Sequence, residues 1–262
     1  MGAQTTLSGL LCTLPRSGSW LLCEHLYSTG LVGTPEEYFR PDYLAGYRAQ
    51  WGVDEPVSME RYIELCLRHT SASTGVFTAK IHWYQMDWLC RTLREDRPAE
   101  RFRKLFGDVR YVHLVRRDSI RQALSWYRAI RSNSWFDLGD GRRRFEGVPD
   151  LQQVRWLEDT LHDHGLRWRE FFRTMGVVPH VVDFTEVVDR PAETVRSVLA
   201  HLGIDPPEAH KLEEGRLVKQ SDGWTDMWER AYLQVRDALP RRDDDVCWSQ
   251  QRQRFVRQGT LR

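Results

Sequence analysis

The chain has 262 residues, 41% of them hydrophobic, and carries 38 basic against 37 acidic side chains for a formal net charge of +1. That length suffices for one large α/β domain with a sizeable core, and the balanced charge excludes a global field for nucleic acid, so any anion site must be local. The apolar runs fall short of a membrane span and residues 1 to 9 lack a basic-then-apolar leader, so a cytoplasmic protein with a single domain over 1–262 is expected.

In chain order, Leu10-Leu11-Cys12-Thr13-Leu14 reads as a buried strand, Pro15-Arg16-Ser17-Gly18-Ser19-Trp20 as a tight basic glycine turn, and Leu21 to Leu26 as the apolar-periodic start of a helix. Backbone N–H groups freed by such a turn point at one spot, Ser17 and Ser19 add hydroxyl donors, and Arg16 adds a charge that does not titrate. That combination is an anion cradle. No G-x-x-x-x-G-K-[ST] run exists, so the lysine and the magnesium-holding hydroxyl of the nucleotide-triphosphatase loop are absent. The cradle therefore suits a phosphate or phosphosulfate held without an obligatory metal; an ordinary turn with Ser17 or Ser19 capping the helix is the plainer alternative.

Thr29 to Phe39, with Gly30, Gly33 and Pro35, reads as a loop at the same sheet edge. Helices around 57 to 71 and 84 to 95 flank a second strand, Gly75 to Ile81. Val109 to Val115 is the clearest buried strand; it ends in Arg116-Arg117-Asp118 and turns into a helix from Ser119 to about Arg131. Residues 137 to 149, with Arg142-Arg143-Arg144, read as a loop, 151 to 174 as a long amphipathic helix, Val177 to Phe184 as the last strand, and Ala192 to Leu202 as a helix ended by Gly203. Beyond about 205 the chain turns polar: Lys219 to Trp224 reads as a loop bearing donors beside an aromatic ring, and about 229–262 as a polar, frayed segment. Strands separated by helices of this length imply an α/β fold, a central mainly parallel sheet flanked by helices on both faces, with ligands beyond the carboxyl ends of the strands.

Cys12, Cys23, Cys66, Cys90 and Cys247 form an odd set with no C-x-x-C pair, as expected of reduced thiols. The nearest histidine pair, His162 and His164, stands about 200° apart on a helix and cannot share one ion, so no metal is expected.

The run Arg117-Asp118-Ser119-Ile120-Arg121-Gln122-Ala123-Leu124-Ser125 places an arginine at a strand end and a serine on the following helix, where the two can converge on a second anion. A nucleotide with one anionic arm at the 5′ position and a separate phosphate at the 3′ position needs two such cradles. Here the chain resembles the sulfotransferases that use 3′-phosphoadenosine 5′-phosphosulfate (PAPS). Their 5′-phosphosulfate loop looks like Pro15 to Ser19 and their 3′-phosphate motif like Arg117 to Ser125, with Arg116 as an alternative to Arg117. Within that superfamily the likeness is to the bacterial trehalose 2-sulfotransferase family. It is carried by R-S-G-S before Leu21-Leu22, Gly33 to Phe39, Lys80-Ile81-His82-Trp83, Gln122 to Ser125, Arg128-Ala129, Trp135, Gly165 to Arg169 and Ser221 to Trp224, over roughly residues 8 to 228. Trp20 stands where the family usually has threonine, which removes one hydroxyl from the cradle.

The resemblance implies a P-loop-like sulfotransferase fold and a PAPS-dependent enzyme that sulfates a hydroxyl of a carbohydrate or sugar-containing metabolite, with a homodimer as its assembly. It places the catalytic carboxylate at Glu37. Beside Tyr38 and Phe39 that carboxylate is expected to be partly desolvated, which raises its pKa and improves it as a base. His82 is the runner-up base. Arg16 serves the leaving phosphate, Lys80 the transferring sulfonate or the acceptor, and Pro15 to Trp20, Arg116 or Arg117, Ser125, Lys219, Ser221 and Trp224 the nucleotide. The rivals are a metal-dependent nucleotide kinase, disfavoured by the missing G-K-[ST], and a non-catalytic nucleotide- or RNA-binding module using Arg142 to Arg144.

Overall fold

The computed structural model describes residues 7–93, 98–135, 145, 147–205 and 223–241. The described residues form two compact units, one holding those up to Arg116 and from Leu166 to 205, the other Arg117–Gly165 and 223–241. Among the described residues no helix is long and apolar enough to cross a membrane.

The first unit is built on a four-stranded, fully parallel sheet in the order β2-β1-β3-β4. Its strands are β1 (Leu7–Thr13), β2 (Val76–His82), β3 (Asp108–Val115) and β4 (His180–Asp183). Among the described residues α1 (Ser19–Ser28), α2 (Leu44–Gln50), α3 (Met59–Thr70), α4 (Trp83–Leu93) and α5 (Pro98–Phe106) lie between β1 and β3, and α6 (Ser119–Ser132) opens the second unit. The long α7 (Leu151–Met175) supplies residues to both units, and α8 (Phe184–Asp189) and α9 (Pro191–His201) follow β4.

Because successive strand residues face opposite sides, β1, β2 and β3 each feed two cores. Leu10, Cys12, Phe77, Ala79, Ile81 and Tyr111 pack with α3, α4, α5 and the end of α7 through Tyr62, Ile63, Met86, Leu89, Phe102, Phe106, Trp168 and Phe172. Leu11, Val76, Val112, Leu114 and Val182 pack with α1, α8 and α9 through Leu22, Leu26, Val187, Val195, Val198 and Leu202. A sheet buried on both faces explains why these strands read as continuous apolar runs. The expected α/β layering holds, helices on both faces included.

Some boundaries differ from the sequence expectation. The last strand runs only from His180 to Asp183 rather than from Val177 to Phe184. Asp183 and Glu186 form a capping box that turns Phe184 into the first residue of α8. Trp224 lies not in a loop but in the first turn of α10 (Gly223–Val235), which presents Thr225, Trp228 and Tyr232 as its buried face. Helices α2 and α5 occupy stretches given no element by the sequence. The arginine triplet at 142 to 144 and the segment from 242 onward, including Cys247, lie outside the described residues.

The second unit joins α6, the N-terminal part of α7, and α10. Asp118 caps α6 by accepting the Arg121 N–H at 2.9 Å. Glu158 of α7 is buried and accepts from Tyr232 Oη at 2.7 Å and from Arg236 Nη2 at 2.7 Å. Burial pushes that carboxyl up, but the hydrogen bonds from Arg236 and Tyr232 leave it below the usual carboxylate range. Arg121 binds both Asp226 and Glu229 of α10, at 2.8 and 2.7 Å.

Candidate active site

The turn after β1 is built as an anion cradle. The Ser17 N–H donates to the Leu14 carbonyl at 3.3 Å, and within that turn Arg16 adopts φ 62° and Gly18 φ 81°. A left-handed backbone is cheap for glycine and uncommon for arginine, so Arg16 is held there by its surroundings. Its carbonyl accepts from Arg116 Nη1 at 3.1 Å. Gly18 is the N-cap of α1; no side chain caps that helix and its first turn holds no acidic residue. A Cβ at Gly18 would lie 2.5 Å from Cδ2 of Phe184, and the Arg116 guanidinium stands 4.7 Å over the same ring. Phe184 thus closes one wall of the turn and props one of its cations.

Ser17 Oγ is fully buried and has no hydrogen-bond partner among the described residues. A hydroxyl left so costs about 1–3 kcal/mol, which an anion accepting its proton removes. Burial first, and the like charge of Arg116 second, pull the Arg16 pKa down to about 10, and a bound anion opposes both effects. The donor set fits a phosphate or phosphosulfate group.

A second constellation forms where β2 ends. The Lys80 N–H donates to the Glu36 carbonyl at 3.0 Å, and Glu36 bridges to Ala79 in parallel, so the loop from Thr29 to Phe39 is stitched to the sheet edge. Tyr38 and Phe39 anchor it from beneath, 2% and 0% exposed. On that extended backbone the two glutamates diverge. Glu36 accepts from Tyr47 Oη at 2.6 Å, whereas Glu37 Oε1 lies 2.8 Å from Lys80 Nζ and 3.6 Å from His82 Nε2. Glu37 Oε2 accepts from Gln85 Nε2 at 2.7 Å. The Lys80 ammonium also stands 4.8 Å over the Trp20 ring, so it lies between the carboxylate and the first turn of α1. His82 Nδ1 is 2.8 Å from Thr13 Oγ1, its partner across the β1–β2 register.

The electrostatics of Glu37 reverse the sequence expectation. Burial does raise its pKa, as foreseen, but Lys80 and then His82, each by charge and by hydrogen bond, carry it well below the usual carboxylate range. Tyr38 and Phe39, taken as its apolar neighbours, turn into the core instead. His82, the runner-up base, has one ring nitrogen facing Glu37 and the other beside the buried hydroxyl of Thr13.

The structure therefore brings together Pro15 to Trp20 with Arg116 in the cradle, and Glu37, Lys80 and His82 beside it. Arg117 is exposed before α6, Ser125 is half-buried on that helix, and Trp224 is 38% exposed on α10; these three belong to the second unit. Lys219 and Ser221 lie outside the described residues. Gln85, Thr13 and Phe184 escaped the sequence reading. For Gln85 a signal existed, a polar residue on the face of α4 that buries Met86, Leu89 and Leu93.

Residues 8–234 match the family model described as Stf0 sulphotransferase. The trehalose 2-sulfotransferase of Mycobacterium tuberculosis strain Erdman is 27% identical over 253 residues, covering 84% of this chain and 93% of that protein. The trehalose 2-sulfotransferase of Mycolicibacterium smegmatis is also 27% identical, over 260 residues, covering 88% of this chain and 97% of that one. Among solved structures, a sulfotransferase from Alicyclobacillus acidocaldarius superposes with a TM-score of 0.50 at 12% identity, over 92% of this chain and 98% of that one, a likeness of fold.

Proposed function

Since this chain belongs to the Stf0 sulphotransferase family, we propose that it moves a sulfonate from PAPS to a hydroxyl of a carbohydrate or sugar-containing metabolite, with Glu37 as general base. The observation that carries this reading is Lys80, 2.8 Å from Glu37 and 4.8 Å over the ring of Trp20 at the cradle, which puts a base, a cation and an anion cradle side by side. When bound, PAPS supplies an activated sulfonate on a good leaving group.

Sulfuryl transfer, by analogy with phosphoryl transfer, leaves the protein mostly positioning and charge stabilisation to do. Arg16, the Ser17 hydroxyl and the backbone N–H groups at the start of α1 hold the 5′ anion. Glu37 takes the acceptor proton. A depressed pKa makes a weak base, and Lys80 offers a remedy: when its charge is shared with a second anion its hold on Glu37 weakens and the proton affinity of the carboxylate rises. Arg116, engaged with the Arg16 carbonyl and Phe184, is assigned to the 5′ cradle. Arg117 and Ser125 take the 3′-phosphate and Trp224 the adenine, as the family resemblance implies. The same reading includes a homodimer, a cytoplasmic location, one sulfotransferase domain over the chain, and no requirement for a metal ion or nucleic acid.

Two relatives carry the name trehalose 2-sulfotransferase, so trehalose is the first acceptor to try. Incubation with radiolabelled PAPS and trehalose, then a panel of sugars and glycosylated metabolites, is expected to yield a sulfated product identified by mass spectrometry. Absence of any labelled product, together with no calorimetric binding of 3′-phosphoadenosine 5′-phosphate, would overturn the reading. In the same calorimetric experiment Arg117→Ala is expected to weaken the 3′-phosphorylated nucleotide and leave adenosine 5′-phosphate unaffected; equal losses for both would remove Arg117 from the 3′ position.

Gly18→Ala tests the cradle itself. The left-handed backbone costs a Cβ about 1–2 kcal/mol, and the Phe184 ring 2.5 Å away must move, releasing Arg116. Affinity for 3′-phosphoadenosine 5′-phosphate is expected to drop at least about tenfold with the loss of one charge-assisted contact. Unchanged affinity would place the 5′ anion elsewhere.

A further inference from the structure

We infer that Gln85 is a positioning residue for the sulfonate transfer, an amide fixed from behind so that it donates to Glu37 and holds the carboxylate in the orientation that takes the acceptor proton. The inference rests on Glu37 being the base.

Gln85 is fully buried on α4, 0% exposed. Its Oε1 accepts the backbone N–H of His82 at 2.9 Å, and its Nε2 donates to Tyr84 Oη at 3.0 Å as well as to Glu37 at 2.7 Å. His82 precedes Trp83, the first residue of α4, so Gln85 stands at the third helical position and reaches back to the N-cap N–H, one half of a capping box. That bond fixes which end of the amide is which: the carbonyl must face His82, and the NH2 must face Glu37. Two of its three bonds do not involve Glu37, so the donor is in place whatever the carboxylate does.

The residue type is informative. Glutamate caps a helix at this position as well as glutamine does, but only an amide both accepts from His82 and donates to Glu37. A carboxylate there would oppose Glu37 with a like charge. The remaining groups around Glu37 are Lys80 and His82 from β2, Cys23 from α1 and Tyr47 from α2, which sense its charge, and Glu36 beside it in the chain. Lys80 and His82 face Oε1, whereas Gln85, a neutral donor, faces Oε2 and orients that oxygen without competing for an anion in the cradle.

The test is a set of pH–rate profiles for Gln85→Glu, Gln85→Met and Glu37→Gln, with PAPS and a hydroxyl acceptor accepted by the wild type. Gln85→Glu keeps the helix cap, so folding is preserved; two facing carboxylates then share a proton. Its acid limb is expected to move to higher pH, with turnover at neutral pH reduced about tenfold to a hundredfold, as for a misplaced catalytic group, and recovered on the alkaline side. Gln85→Met is expected to lower kcat while KM for PAPS stays within about twofold, because uniform binding is untouched. If Glu37→Gln is impaired but Gln85→Glu superimposes on the wild-type profile, Gln85 is only a cap and the inference fails. If Glu37→Gln itself turns over at the wild-type rate, the base assignment fails first.

Discussion

In the Glu37→Gln variant turnover is expected to fall by about two to four powers of ten, the usual contribution of a positioned general base, while KM for PAPS stays within a few-fold. The split follows from the geometry: the contacts of the Glu37 carboxylate are with Lys80, His82 and Gln85, so ground-state binding of the nucleotide in the cradle survives its neutralisation. Stability should suffer modestly as well. Glu37 Oε1 accepts from Lys80 and Oε2 from Gln85, and an amide presents an acceptor to only one of them. Gln85 cannot turn over to compensate, because its own carbonyl is spent on His82. One donor therefore faces another donor, at a cost of about 1–3 kcal/mol for the group left unpaired. Steady-state kinetics in both substrates together with a thermal melt separate the two effects. A variant that loses rate only because it unfolds would regain it on cooling; loss of the base would persist.

Much of the architecture was written in local pattern. The runs Leu10-Leu11-Cys12 and Tyr111 to Val115 are apolar on both faces because the sheet is covered on both, and a run of that kind is visible in one dimension. Part of what failed to show lacked a buried face. Helix α2 has no buried residue, so it carries no periodicity to detect, and its Gly46 argues against it locally. Helix α10 does carry one, Thr225, Trp228 and Tyr232, but the polar stretch before it masked the spacing. At Phe184 the D-F-T-E signature of a capping box was present, and the apolar Val181-Val182 before it drew the residue into the strand instead.

The candidate site divides along the same line. The cradle is contiguous, six residues from Pro15 to Trp20, so its chemistry was legible from composition and order. The surroundings of Glu37 are not contiguous: Lys80, His82 and Gln85 reach it across 43 to 48 positions because the Glu36–Ala79 bridge pins the loop to β2. Sequence neighbours Tyr38 and Phe39 suggested a raised pKa, and spatial neighbours determine a lowered one. A local reading predicts the sign of burial correctly and misses the charges that outweigh it.

Lys80→Met is where that balance is most exposed. In the wild type Glu37 holds its proton less tightly than an unfolded glutamate does, because Lys80 and His82 outweigh its burial. The stability this contributes is therefore fully present above the unfolded pKa and is lost as the pH falls through the lower folded value. Remove the ammonium and the largest charge opposing burial is gone, so the folded pKa rises. The stability that the ionised carboxyl contributes above the unfolded pKa shrinks accordingly. Melting temperature is expected to climb from about pH 4 to pH 7 in the wild type and to climb less or fall in the variant, across the range where a carboxyl titrates. At neutral pH the gap should reach the lower end of the about 3–5 kcal/mol that breaking a buried pair costs, since the Glu37 side chain retains 16% exposure. Activity should follow the same proton. A Glu37 with a raised pKa is ionised over a narrower pH range, so the variant is expected to lose rate at neutral pH and to recover part of it at alkaline pH, whereas Glu37→Gln recovers none. Parallel melting curves for wild type and Lys80→Met across this pH range would mean that Lys80 does not set the charge state of Glu37, and the coupling between cradle and base would be lost with it.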